Sequence, residues 1–135
     1  MLDFDRGRSA FLYDGVTIGP TTRLSDLETQ LSGEAGPIPG QAGWSRFKTK
    51  GAPINLSLSF YEDIAHSGFF WANIPGGGSW DEAERVEGLR RAEHEKIAAR
   101  LFGADHFEDG RINVSLVRDP RSYLEEIFFE FRRDV

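Results

Sequence analysis

Two stretches of this sequence alternate strictly between apolar and polar residues, and this alternation limits the possible folds more than any other feature. The first is INLSLSF, from Ile54 to Phe60, and the second is INVSLV, from Ile112 to Val117. A period of two places every apolar side chain on one face of a β-strand. Each stretch is followed by a turn, at 62–63 and at 118–122, and by a second apolar run. The sequence therefore predicts two antiparallel hairpins.

Two further segments have helical spacing. Leu24, Leu27 and Leu31 recur at helical intervals, which predicts a short helix over about 22–31, begun by Thr21 or Thr22. A longer helix is predicted over 80–102. Ser79 followed by Glu82 has the spacing of a capping box, and Gly103 is suited to end the helix.

The remaining segments complete the predicted fold. Asp14-Gly15 indicates a tight hairpin, 32–43 is rich in Gly and Pro and is expected to be a loop, and 44–49 alternates like a strand. We therefore expect a single α+β domain over 1–135, with an antiparallel sheet of five or six strands and two helices on one face. An alternative arrangement is two similar half-motifs packed side by side.

The triple glycine at 76–78 could suggest a phosphate-binding loop. No Lys follows it, and Asp81, Glu82 and Glu84 fill the first turn of the predicted helix. These carboxylates already complement the positive end of the helix and would repel phosphate. We interpret the glycines as a turn between strand and helix.

Composition excludes several classes of function. The chain has no Cys, which rules out disulfides, thiolate metal sites and cysteine nucleophiles. Its net charge of −6 and its scattered cations argue against nucleic-acid binding. No apolar run is long enough for a signal peptide or a membrane span. His66, His94 and His106 match no compact metal motif, so we expect a cytoplasmic protein with no metal or cofactor.

Charged residues interrupt the apolar stripe of the long helix. Arg90 and Glu93 fall within the stripe that Val86, Leu89, Ile97 and Leu101 define, and His94 lies at its edge. Unpaired charges are rarely buried. One interpretation is that long side-chain stems cover the edge of the core while their charges reach water. The other is a polar network between helix and sheet, completed by Asp119 or Arg121, which could also line a ligand pocket.

Aromatic residues are expected on both faces of the sheet. Phe69 and Trp71 lie on one face of their strand and Phe70 on the other, and Phe128 and Phe129 alternate in the same way. The helices must pack against one of these two faces. The other could bind a partner, form a dimer or lie beneath the long loop. We take Phe70 and Phe128 as candidates for the partner surface.

The C-terminal half, from ERVEGLRRAEHEKIAARLFG to INVSLVRDPRSYLEEIFFEFR, resembles a set of small uncharacterised bacterial proteins. Some of these resemble immunity proteins of polymorphic toxin systems. The matching positions are Arg90, His94, Gly103, Asp119 and Arg121, and the resemblance implies no catalytic residue.

We therefore predict a non-catalytic, cytoplasmic protein-binding module of immunity type that acts by covering a partner's surface. Net acidity favours a basic partner, and a homodimer is the other possibility. The alternative function is a small-ligand binder or enzyme with a polar pocket near His94.

Overall fold

The N-terminal segment forms a small sheet of its own. The computed structural model describes residues 1–76, 78–119 and 124–133. Strands β1 (Leu2–Asp5), β2 (Ala10–Tyr13) and β3 (Val16–Ile18) pair antiparallel in chain order. Asp14 and Gly15 connect β2 to β3 with positive φ angles of 49° and 81°. Two-residue hairpin turns require this conformation, so the predicted Asp-Gly hairpin is confirmed.

Helix α1 (Leu24–Gln30) lies within the predicted range, but its cap differs from the prediction. Thr22 Oγ1 accepts a hydrogen bond from the Gly19 N–H at 2.8 Å, outside the helix. The first turn is capped from a distance by Asp63, whose carboxylate accepts from the Ser25 N–H at 3.1 Å and from the Ser25 hydroxyl at 3.0 Å. This cap attaches α1 to a turn of the main sheet.

Four strands then follow as an antiparallel meander: β4 (Glu34–Pro37), β5 (Trp44–Lys48), β6 (Ile54–Tyr61) and β7 (Ile64–Ala72). The prediction of a loop throughout 32–43 is wrong for 34–37. Pairing with β5 gives the backbone of β4 its hydrogen-bond partners, and an edge strand tolerates Gly36 and Pro37. The predicted Glu62-Asp63 turn is confirmed, since both residues have positive φ, at 48° and 70°.

After helix α2 (Trp80–Phe102), the chain adds β8 (His106–Glu108), β9 (Ile112–Asp119) and β10 (Leu124–Phe131). The strands of the large sheet lie in the order β4-β5-β6-β7-β10-β9-β8. The α+β class is confirmed, although this sheet has seven strands rather than five or six. The β7–β10 pair joins the two halves of the chain into one continuous sheet.

The ends of α2 are close to those predicted. Ser79 Oγ accepts from the Glu82 N–H at 3.2 Å, and Gly103 ends the helix in the left-handed conformation with φ of 72°. The Glu82 carboxylate pairs with Arg85 at 2.9 Å instead of reaching back to the cap residue. Neither described helix combines the length and the apolar composition needed to cross a bilayer.

The core lies between one face of the seven-stranded sheet and a layer made by α2 and the small sheet. The Phe11 ring of β2 lies 4.8 Å from that of Phe70 and 5.0 Å from that of Phe129. At Gly68, a Cβ would lie 2.4 Å from the Ser57 carbonyl oxygen and 2.8 Å from the Phe129 ring. Only glycine fits this close approach between strand and ring. The largest fully buried side chains include Phe11, Phe47, Phe60, Phe70 and Phe129.

Candidate functional site

His94 on α2 is fully buried against the sheet, at 0% exposure. Its Nε2 accepts a hydrogen bond from the Ala72 N–H at 2.9 Å. A nitrogen that accepts carries no proton, so the neutral ring has its proton on Nδ1. That atom lies 3.6 Å from Glu125 Oε1, close to hydrogen-bond range but beyond it.

Arg90 binds the same backbone residue. Its Nε donates to the Ala72 carbonyl oxygen at 3.1 Å. The ladder between β7 and β10 ends at the Phe70–Ile127 pair, two residues before Ala72. Arg90 and His94, one helical turn apart, therefore give the N–H and the carbonyl of Ala72 the partners that a neighbouring strand would otherwise supply.

Buried carboxylates complete this region, which we call the His94 cluster and define as Glu87, Arg90, Arg91, His94, Arg118 and Glu125. Glu125 is 2% exposed, and its Oε2 lies 3.3 Å from Nε of Arg118, its cross-strand neighbour. Glu87 is 6% exposed and accepts both hydrogen bonds from Arg91, at 2.9 and 3.0 Å. Each buried carboxylate thus has a guanidinium partner.

Burial shifts the pKa values of the two central groups in opposite directions. Desolvation and the nearby Arg90 charge lower the pKa of His94 to about 4. Protonation would also place a proton on Nε2, which faces the Ala72 N–H. Desolvation raises the pKa of Glu125, while Arg118 opposes that shift. His94 is therefore neutral in the folded protein at pH 7.

The structure brings together only some of the residues that the sequence singled out. Arg90 and His94 meet at Ala72, whereas Glu93 is half-buried and pairs with Lys96 at 4.0 Å. Leu89 is 47% exposed, so it lies off the buried stripe where the sequence placed it. Asp119 is half-buried at the end of β9, and Arg121 lies outside the described residues.

The sequence reasoning missed Glu125 and Arg118. Ile127, Phe129 and Phe131 share the inner face of β10, and the same alternation extended by two residues places Glu125 on that face. Cross-strand pairing then gives Arg118 as its partner. The chain thus contained a signal for these two residues.

The location of the His94 cluster favours a structural role over a chemical one. His94 has no exposed surface, and its Nε2 is already occupied. A ligand could reach the ring only after α2 moved away from the sheet. Among the residues that the structure describes, no group of three His, Asp or Glu side chains is arranged to hold a metal ion.

The second candidate region is the other face of the seven-stranded sheet, which we call the open face. Of the described elements, α2 and the small sheet both pack against the inner face. Phe69, Trp71 and Phe128 lie on the open face and are half-buried. Phe69 is the cross-strand neighbour of Phe128, and its ring lies 5.4 Å from that of Trp71.

The open face corrects one predicted surface residue. Phe70 is 0% exposed and packs in the core, so the structure does not offer it to a partner. Strand alternation had placed Phe70 and Phe128 on different faces without showing which face the helices cover. Phe128 is on the open side, and its aromatic neighbours there are Phe69 and Trp71.

Charge is divided across the open face. Arg46 and Lys48 lie toward the β5 end, on the same face as Ser57 and Ser59 of β6. Carboxylates lie toward the opposite end, at Glu108, Glu126 and Glu130. Desolvation and the neighbouring Glu125 charge raise the pKa of Glu126. Phe69, Trp71 and Phe128, which we call the aromatic strip, therefore lie between a cationic and an acidic region.

Comparison with known proteins supports the fold. The chain matches a chain of the solved structure "Rhs1-CT in complex with cognate immunity protein RhsI1", with a TM-score of 0.57 and 16% sequence identity, over 98% of this chain and 88% of that chain. No protein-family profile and no curated protein sequence matches. The resemblance to immunity proteins of polymorphic toxin systems is thus confirmed for the fold, and it extends well beyond the C-terminal half.

Proposed function

We propose that this chain is a protein-binding module of immunity type, which covers the active surface of a toxic partner protein in the cytoplasm and thereby blocks it. The observation that carries this proposal is the shared fold with a chain from a complex between Rhs1-CT and its cognate immunity protein. Such a module needs a rigid surface rather than a reactive site.

The open face supports the same function. A sheet is rigid because both backbone groups of each interior residue are paired, so its side chains form a preorganised surface that costs little entropy to order. Aromatic side chains are enriched at the centres of protein interfaces. Phe69, Trp71 and Phe128 provide such a centre, with charged residues on both sides.

The alternative function, a ligand pocket near His94, has less support. Nε2 of His94 and Nε of Arg90 already bind Ala72, and the polar atoms of the cluster that lack a hydrogen bond, among them His94 Nδ1 and Glu125 Oε1, are buried where a ligand does not reach them. The fold needs this cluster because Ala72 would otherwise leave an N–H and a carbonyl without partners in the interior. We therefore assign the cluster to stability.

The experiment is affinity purification of the tagged chain from its native host, followed by identification of stoichiometric partners by mass spectrometry. The expected result is one partner whose expression alone arrests growth and whose effect is cancelled by co-expression of this chain. Size-exclusion chromatography with light scattering should then show a complex of defined stoichiometry, and cell fractionation should place both proteins in the cytoplasm.

A variant with the open face altered and the core intact provides the matched control. Phe128→Ala should fold and bind the partner more weakly, whereas Leu89→Ala, an exposed substitution on the helix side, should bind as the wild type does. The proposal would be contradicted if the chain formed only a homodimer, or if its own expression arrested growth.

A further inference from the structure

Among the residues that the structure describes, the cationic side chains are partnered everywhere except at one place. In the described part of the chain, each Arg or Lys outside 46–50 contacts a carboxylate or a backbone carbonyl oxygen. These contacts are made by Arg6, Arg8, Arg23, Arg85, Arg90, Arg91, Lys96, Arg100, Arg111, Arg118, Arg132 and Arg133.

Arg46, Lys48 and Lys50 are the exceptions. All three are exposed, and none has a carboxylate within 4.0 Å among the described residues. Glu34 is the cross-strand neighbour of Lys48, yet the two do not form an ion pair at that distance. Although the net charge of the chain is −6, the unpaired cations of its described part thus lie in one region.

This cationic region adjoins the aromatic strip of the open face. Lys48 Nζ lies 5.5 Å from the centre of the Trp71 ring, a cation–π distance. Trp71 in turn contacts Phe69, at 5.4 Å between ring centres. We call this group, Arg46, Lys48, Lys50, Phe69 and Trp71, the cationic–aromatic sector.

A cleft opens beside the sector. Its volume is about 500 Å³, and it is lined in part by Lys48, Lys50, Asn55, Trp71 and Asn73. Asn55 is held in place, because its Oδ1 accepts from the Ala52 N–H at 3.2 Å and from the Thr49 hydroxyl at 3.3 Å. Glu34 also lines the cleft, which therefore combines an aromatic wall with two cations, one carboxylate and a fixed amide, so that its cations outnumber its carboxylate.

We propose that the cationic–aromatic sector is the docking site for a protein partner that presents an acidic surface around an apolar side chain. This proposal rests on the proposed function, and in it these five residues are the part of the chain that contacts the partner. Complementary charge steers association and fixes register, and an apolar anchor supplies much of the affinity. Net charge favoured a basic partner, but we expect the contact surface of the partner to be acidic. Salt screens charges that lie far apart, so the unpaired cations at the contact matter more than the net charge of the chain.

Charge reversal tests the docking site. Lys48→Glu and Lys50→Glu should each weaken binding of the purified partner by about tenfold, mainly at low salt. Lys96→Glu is the matched control, since it changes the net charge equally from an exposed position on α2 and should leave affinity within about twofold. Affinities are measured by calorimetry or surface plasmon resonance at two salt concentrations.

Amine footprinting gives a second measurement that needs no variant. The chain has only three lysines, at 48, 50 and 96, so acetylation followed by mass spectrometry reports each separately. Partner binding should protect Lys48 and Lys50 while Lys96 stays reactive.

The outcomes separate this inference from the function on which it rests. If the wild type binds a partner but Lys48→Glu and Lys96→Glu behave alike and all three lysines stay reactive, the docking site is wrong and the immunity function stands. Stronger binding by Lys48→Glu would mean that the partner surface is basic, which also overturns the site. If the wild type binds no protein, both proposals fail together.

Discussion

The two faces of the seven-stranded sheet carry aromatic residues at adjacent positions of the same strands but differ in burial. Phe69 and Phe70 are adjacent in β7, as are Phe128 and Phe129 in β10, yet Phe70 and Phe129 are fully buried while their neighbours are half-buried on the open face. The inner face also buries polar groups, in the His94 cluster, whereas Arg46 and Lys48 on the open face have no carboxylate within 4.0 Å among the described residues. An aromatic residue in a strand therefore does not by itself show which face of the sheet packs in the core.

The two faces differ in how their charged groups are paired: the inner face buries carboxylates beside guanidinium groups, although His94 Nδ1 and Glu125 Oε1 lack hydrogen bonds there. On the inner face, the carboxylates of Glu87 and Glu125 have guanidinium partners and His94 binds the backbone. Buried charge is tolerated only when it is paired in this way. Lys48 and Lys50 are exposed and have no carboxylate within 4.0 Å among the described residues, which costs little in water. Under the docking site proposed above, their charge would contact the partner.

The largest expected effect comes from truncating adjacent aromatics on opposite faces. Phe70→Ala should lower the free energy of unfolding by about 3–5 kcal/mol, because it leaves a cavity among packed rings. Phe69→Ala should cost less, about 1–2 kcal/mol, because its side chain is only half-buried, and it should weaken partner binding. Urea denaturation of both variants measures the contrast. Equal losses would mean that the open face is covered and that the two faces are not distinct.

The next effect is a pH dependence that His94, buried on the inner face, should produce. The pKa of His94 is about 4 in the folded protein and near 6.5 in the unfolded chain. The unfolded state therefore binds a proton more readily, so the stability that neutral His94 contributes is complete above pH 6.5 and is lost as pH falls toward 4. The shift corresponds to about 3 kcal/mol.

Two variants isolate the contribution of His94. Burial raises the pKa of Glu125, so its protonation at low pH works in the opposite direction and offsets part of the loss. Glu125→Gln should remove that offset and steepen the dependence, while His94→Gln should flatten it. Unfolding free energies measured at several pH values between 4 and 7 test this, and an unchanged slope in His94→Gln would show that another group is responsible.

A smaller contrast lies within α2, between two charged residues three positions apart. Arg90→Ala should lower the free energy of unfolding by about 1–3 kcal/mol, because it leaves the Ala72 carbonyl without its donor. Glu93→Ala should cost less than about 0.5 kcal/mol, since its pair with Lys96 is exposed. Thermal or urea unfolding of the two single variants measures and compares their losses of unfolding free energy. Similar losses would place Glu93 inside the buried network, as the sequence first indicated.

Much of this architecture could be predicted from local pattern. Alternation identified β6, β7, β9 and β10, and capping residues set the bounds of α2. β4 could not be found this way, because only its pairing with β5 makes 34–37 a strand. The choice of Phe70 failed for a related reason. Alternation shows that a strand has two faces, but which face the helix covers depends on contacts between distant parts of the chain.

The smallest expected effect concerns the side of α2 that faces away from the sheet. Gly88 is exposed within the helix, and a Cβ added there would meet no atom within 4 Å. Alanine loses less backbone entropy than glycine on forming a helix, so Gly88→Ala should stabilise the protein by about 0.5–1 kcal/mol. Denaturant unfolding with a matched Ala92→Gly variant, which should be destabilised by a similar amount, measures this. A destabilised Gly88→Ala would mean that something packs closely on this side of α2, and light scattering would then show whether it is a second copy of the chain. In that case the outer side of α2 would also be a contact surface, and the open face of the sheet would no longer be the single candidate for binding a partner among the described residues.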